Sequence, residues 1–111
     1  MKDVDVRSKA RENFLNSAVD LLLSGDISER CVAASVLGKL GDVEVMHTLL
    51  QVLQEDSNRT VQHKVAQAIA RIGGTQAVHE LQQMMRDGQA YTRFLAAETL
   101  ADIVARGNDK P

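Results

Sequence analysis

The chain is poor in aromatic residues: of its 111 residues two are Phe, one is Tyr and none is Trp. An interior must therefore be built from Ala, Val, Leu, Ile and Met, a composition that suits close-packed helices better than a sheet. There is one cysteine, Cys31, so no internal disulfide can form. The single proline, Pro111, leaves none to kink a helix. No apolar run approaches the ~20 residues that span a bilayer. The opening Met1-Lys2-Asp3-Val4-Asp5 lacks the apolar core of a signal peptide, so a reducing cytoplasm is the expected compartment. The sequon Asn58-Arg59-Thr60 is then a chance match. Positive charge is not in excess either. Thirteen Lys and Arg stand against 15 Asp and Glu, a net −2, which argues against a general binder of nucleic acid or of acidic membranes.

What the chain does have is a stretch that returns. Residues 30–41 read Arg-Cys-Val-Ala-Ala-Ser-Val-Leu-Gly-Lys-Leu-Gly, residues 62–73 read Gln-His-Lys-Val-Ala-Gln-Ala-Ile-Ala-Arg-Ile-Gly, and from Arg93 the chain reads Arg-Phe-Leu-Ala-Ala-Glu-Thr-Leu-Ala-Asp-Ile-Val. Three copies at a nearly fixed period mark a repeat protein.

Around these copies the apolar spacing is helical throughout. A first helix from Arg7 carries Phe14, Leu15, Ala18, Val19 and Leu22, and Gly25 ends it. Asp26 or Ser28 caps a second helix that buries Ala33, Val36, Leu37 and Leu40. Asp42 caps a third with Val45, Met46, Leu49, Leu50 and Leu53; Thr60 opens a fourth with Val61, Val65, Ala66, Ile69 and Ile72. Thr75 caps a fifth with Ala77, Val78, Leu81, Met84 and Met85, and a sixth carries Ala96, Ala97, Leu100, Ile103 and Val104. Six of the seven glycines fall at helix ends under this division. The seventh, Gly38, aligns with Ala70 and Ala101, so a small residue stands at that point in every copy and predicts a close approach of two helix backbones. Residues 1–6 and 106–111 are expected to be flexible, flanking one domain with repeats at about 7–41, 42–73 and 74–105.

Paired in order, these helices resemble HEAT repeats, and more narrowly the short HEAT-like repeats of phycobilisome lyases. The family pattern is a turn Asp, then Val-Arg-x-x-Ala-Ala-x-x-Leu-Gly-x-Ile-Gly, then a helix with spaced leucines. Here the turn Asp is Asp26, Asp56 and Asp87; the Arg is Arg30, then Gln62, then Arg93; the Ala-Ala pair is Ala33-Ala34, Val65-Ala66 and Ala96-Ala97. The resemblance implies an all-α solenoid of three helix pairs, a right-handed superhelix, whose Asp and Arg residues form a ladder between successive turns. It also implies that the second helix of each pair lines a concave binding face. On that face the residues left after removing the buried ones are Cys31, Val32, Ser35 and Lys39, then His63, Lys64, Gln67 and Arg71, then Phe94, Leu95, Glu98 and Asp102, with Tyr91 beside them. Lys39, Lys64 and Arg71 are expected to steer an acidic segment of a partner protein, and Phe94 and Leu95 to anchor it. The bland alternative is a solvated face with a ladder pair such as Arg71 to Asp102. Phe94 and Leu95 equally suit a core position or a homodimer through the last helix.

Enzymes built on this repeat supply no matching chemistry. Deoxyhypusine hydroxylase resembles the pattern and binds iron through His-Glu pairs after the repeat Arg; those positions here read Cys31-Val32, His63-Lys64 and Phe94-Leu95. No bilin-handling residue of the phycobilin lyases can be carried over, and the charge balance ill suits a DNA glycosylase. Cys31 and His63 share a ridge without a third orienting group. The expected function is thus non-catalytic, a cytoplasmic adaptor or scaffold with no cofactor, no metal, no nucleic acid and no membrane. The alternative is an accessory subunit of a lyase-like or cofactor-handling enzyme.

Overall fold

The computed structural model describes residues 2–110, with side chains from Val6 onward. Six α-helices follow one another in these residues: α1 (Lys2–Ser24), α2 (Ile27–Leu40), α3 (Met46–Glu55), α4 (Arg59–Ile72), α5 (Thr75–Asp87) and α6 (Ala90–Arg106), with a 3₁₀ turn at Val43–Val45 leading into α3. They form three antiparallel pairs, α1 with α2, α3 with α4 and α5 with α6. The second helices stack into an inner row, α2 on α4 on α6; α3 and α5 meet more lightly, and α1 and α3 scarcely at all. The architecture is the expected all-α solenoid of helix pairs. Among the described residues no helix is long and apolar enough to cross a membrane.

Local chemistry sets the boundaries. Asp26, not Ser28, caps α2: its Oδ1 accepts from the Glu29 N–H at 2.8 Å, and the Glu29 carboxylate accepts from the Asp26 N–H at 2.9 Å, a reciprocal box. Asp42 caps the 3₁₀ turn through the Glu44 N–H. Asn58 rather than Thr60 begins α4, its Oδ1 accepting from the Val61 N–H. The Asn58 N–H in turn donates to Asp56, a turn closed by side chain. At α5 Gly74 stands at the cap position and Thr75 is already helical.

The core runs along the seam between the rows. Leu22, Leu37, Leu49, Leu53, Ile69, Leu81 and Ile103 are fully buried, as the helical spacing predicts. Departures occur where the stack runs out of neighbours. Phe14 is 53% exposed, because α1 is covered by α2 alone and Leu15, Ala18 and Leu22 take the covered side. Met85 and Val104, on the last pair, are exposed for the same reason.

The N-terminal boundary is corrected as well. Helix α1 begins at Lys2, not Arg7, since no Gly or Pro interrupts the chain before Gly25. Its 23 residues overhang the 10 of α3. A groove of about 510 Å³ opens between α1 and the start of α3, spanned by Arg11 and Asp42 at 3.6 Å.

The expected flexible tail is corrected too, at Asn108. After α6 the chain turns through Gly107 in a left-handed conformation, and the Asn108 N–H donates to the Ile103 carbonyl. The Asn108 side chain then reaches back to α4, donating to the Ala70 and Arg71 carbonyls at 3.1 and 3.0 Å. Its own carbonyl accepts from the Gly74 N–H at 2.7 Å. A side chain on Gly73 would overlap the Asn108 backbone, and Gly73 also has φ +65°. One asparagine thus ties the last helix to the junction of α4 and α5.

The close backbone approach predicted at Gly38 is present. A Cβ there would lie 2.9 Å from the Ala68 Cα and 3.0 Å from its Cβ. Ala70 is buried in the same way, whereas Ala101 is exposed because no helix follows α6 among the described residues. Replacing Gly38 by Ala must push α2 from α4; urea unfolding is expected to show a loss of about 1–3 kcal/mol, and an unchanged midpoint would disprove the constraint.

Candidate functional site: the face of the inner helices

Position 30 and its equivalents tie the second helix of each pair to the first. The Arg30 Nε donates to the Leu22 carbonyl near the end of α1 at 3.3 Å. The Gln62 Nε2 donates to the Leu53 carbonyl near the end of α3 at 2.8 Å, and the Arg93 Nη1 to the Gly88 carbonyl after α5 at 3.4 Å. All three satisfy a carbonyl that the end of the preceding helix leaves without a helical partner. Arg30 alone also forms a rung of the ladder, an ion pair with Asp56 in the next repeat's turn. Asp56 is almost wholly buried there and Arg30 mostly so. Gln62 is neutral and buried, so the rung to Asp87 is absent.

With the pairs so registered, the free sides of α2, α4 and α6 form one surface. Val32, Ser35, Lys39, His63, Gln67, Arg71, Phe94 and Glu98 are exposed on it; Lys64, Tyr91 and Asp102 are half-buried. The structure gathers four of them at the α4–α6 seam. His63 and Gln67 face Glu98 and Asp102 across a groove of about 190 Å³ whose floor includes Ala66 and Thr99. Asp102 pairs with Arg106 one turn along at 3.0 Å, not with Arg71. Neighbours at that spacing on one helix meet without bridging the seam.

Leu95 does not belong to this surface. It is 1% exposed, part of the core, and its expected role as an anchor is withdrawn. It lies on the buried side of α6 with Thr92, Ala96 and Thr99, toward the neighbouring α4 and α5, while Phe94 one residue earlier remains 58% exposed. Tyr91 is held within the molecule: the Arg59 guanidinium lies 4.4 Å above its ring, and the Phe94 ring is 6.3 Å away, tilted by 35°. Phe94 is thus steadied along one edge with its other side open.

Sequence reasoning missed a second groove, between α3 and α5. It is lined by Gln54, Gln83 and Asp87 around Glu80, whose buried Oε2 has no hydrogen-bond partner in the structure. Glu80 follows His79 in the sequence, but the α5 helix turns the two apart, and only Glu80 lines the groove. Among the described residues no three His, Cys, Asp or Glu side chains cluster so as to hold a metal ion.

Asp56→Asn keeps the turn and removes the charge opposite Arg30. The expected cost is about 1–3 kcal/mol of stability in denaturant unfolding, and an equal loss in an Arg30→Met background would show that the pair is not coupled.

The family model described as HEAT repeats matches residues 15–107, from the middle of α1 to the end of α6. No curated protein matches the chain.

Proposed function

Since the chain belongs to the HEAT repeat family, we propose that it is a non-catalytic adaptor that binds a segment of a partner protein across the face of α2, α4 and α6. HEAT repeats commonly mediate protein–protein interaction, and in solenoids of this kind the second helices line the concave side. The observation that supports the reading best is Phe94. It is a large apolar side chain, 58% exposed and braced by Tyr91, one turn before Glu98, which lines the α4–α6 groove. An aromatic anchor beside polar positions is the usual arrangement of a binding hot spot.

The charges give the partner a direction. Lys39 and Arg71 are exposed on α2 and α4, and Lys64 is half-buried on α4. Glu98 and Asp102 stand on α6. A bound segment would set acidic residues over the first group and an apolar residue against Phe94, with any basic residue of its own over the α4–α6 groove. Charged residues in such positions act chiefly on the rate of encounter.

Binding to the natural partner, once captured, is expected to weaken at least about 10-fold in Phe94→Asp with the helical signal intact. Leu95→Asp is expected to unfold the domain instead, because it buries a charge. Equal loss of helix in both variants would remove Phe94 from the surface. Charge reversal at Lys64 and Arg71 is expected to slow association at low salt and far less at high salt; a rate that ignores salt would exclude steering.

A further inference from the structure

The seam between α3 and α5 lies in the outer row, away from the inner face. These helices are the first members of successive pairs and run in the same direction: His47 shares a groove with Glu80, and Gln54 shares the next with Asp87. Both helices therefore bring their C-terminal ends, the negative poles of their dipoles, toward the Gln54–Asp87 end of the seam. The two grooves, of about 140 and 220 Å³, adjoin through Gln54, Glu80 and Met84, which line both. Glu80 and Asp87 add formal negative charge, and no Lys or Arg lines either groove. Arg93 reaches the Gly88 carbonyl from α6 and does not line the seam.

Glu80 carries the sharper observation. Its Oε2 is buried and accepts from no group of the protein, although the side chains of Gln54 and Gln83 line the same groove. A buried carboxylate oxygen without a donor destabilises a fold, and no donor within this one offsets that cost. The seam is thus built to receive a positively charged donor: a buried carboxylate oxygen, a second carboxylate and two helix C-termini converge on it.

The surroundings select the kind of cation. No three His, Cys, Asp or Glu side chains cluster among the described residues, which is too few ligands for a metal ion. The base of the seam is apolar, formed by buried Leu50 and Met84, while the polar side chains stand beside it. An ammonium group is a compact and strongly hydrated charge that gains little from such a base. A guanidinium is planar, weakly hydrated on its faces and edged with donors, so it can lie on Met84 and donate sideways to a carboxylate and to amide oxygens. We propose that the α3–α5 seam binds an arginine side chain of a partner protein, with Glu80 as its principal acceptor. This contact is separate from the Phe94 surface and stands or falls without it.

Titration of the labelled full chain with N-acetyl-argininamide, whose only charge is the guanidinium, tests this by NMR. Shifts are expected to gather at Gln54, Glu80, Gln83 and Met84. N-acetyl-citrullinamide, of the same shape without the charge, is expected to give none, and N-acetyl-lysinamide to bind more weakly than the arginine compound. Glu80→Gln keeps the shape and one acceptor oxygen, and is expected to weaken binding about 10-fold. Glu80→Met, of similar helix propensity, is expected to raise the urea midpoint of the free protein, because it removes an oxygen with no donor. A midpoint that falls or stays would mean that the oxygen is already satisfied within the fold, and overturns the proposal. So do shifts that gather at Glu98 and Asp102 instead, or none at all. Equal binding of the lysine compound overturns the choice of arginine. Free arginine binding more tightly than its blocked form would assign the seam to the amino acid and overturn the partner protein.

Discussion

Two helices can come only as close as the side chains between them permit, and in this stack the limit is set where Gly38 lies against Ala68. No side chain larger than a hydrogen fits at Gly38 while that distance is held. The approach lets α4 cover α2 along its length, and it fixes the height at which Arg30 meets the next turn. A wider spacing would separate Arg30 from Asp56 and open the core seam at Leu37 and Ile69. Packing and electrostatics here depend on one another, with packing the stricter of the two, because backbone atoms cannot yield as a long side chain can.

The ladder position shows how a repeat tolerates variation. An arginine there does two things, satisfying a carbonyl at the preceding helix end and pairing with the next acidic turn. Gln62 keeps the first and gives up the second. At the middle repeat the carbonyl is the costlier of the two to abandon, since an unsatisfied buried acceptor is penalised in full while Asp87, the acid that position 62 would meet, is exposed and a pair to it adds little. That ranking accounts for a glutamine, rather than an apolar residue, at the middle repeat.

Much of the architecture was legible in the sequence because it rests on short-range periodicity. The helical spacing located the main core residues of all six helices, and the three aligned small residues foretold the contact of α2 with α4. Apart from the starts of α4 and α5, which Asn58 and Gly74 set one or two residues earlier, the misreadings concern places where the repeat pattern ends. Ala101 matches Gly38 in sequence and differs from it in having no helix opposite among the described residues. Leu95 was misplaced because its equivalents, Val32 and Lys64, are exposed or half-exposed, and only the neighbours of α6 decide that Leu95 turns inward. The Asn108 contacts span 37 and 38 residues, beyond what any local pattern can report. Of the candidate surface, the membership of His63, Gln67, Glu98 and Asp102 could be read from spacing. Their meeting in one groove depended on the register between helices, and the unpartnered Glu80 oxygen left no trace in the pattern.

The Asn108 tie also bears on how the molecule comes apart. In a linear array each unit is held by its nearest neighbours, so both ends ordinarily fray with similar ease. Here the last helix is stitched to the α4–α5 junction by backbone and side-chain bonds, while the first is held by α2 along only part of its length. Local opening therefore starts at the N-terminal end and advances inward, and slow amide exchange should be concentrated in α4 and α6. The stack has a polarity in its dynamics that its repeated sequence does not display.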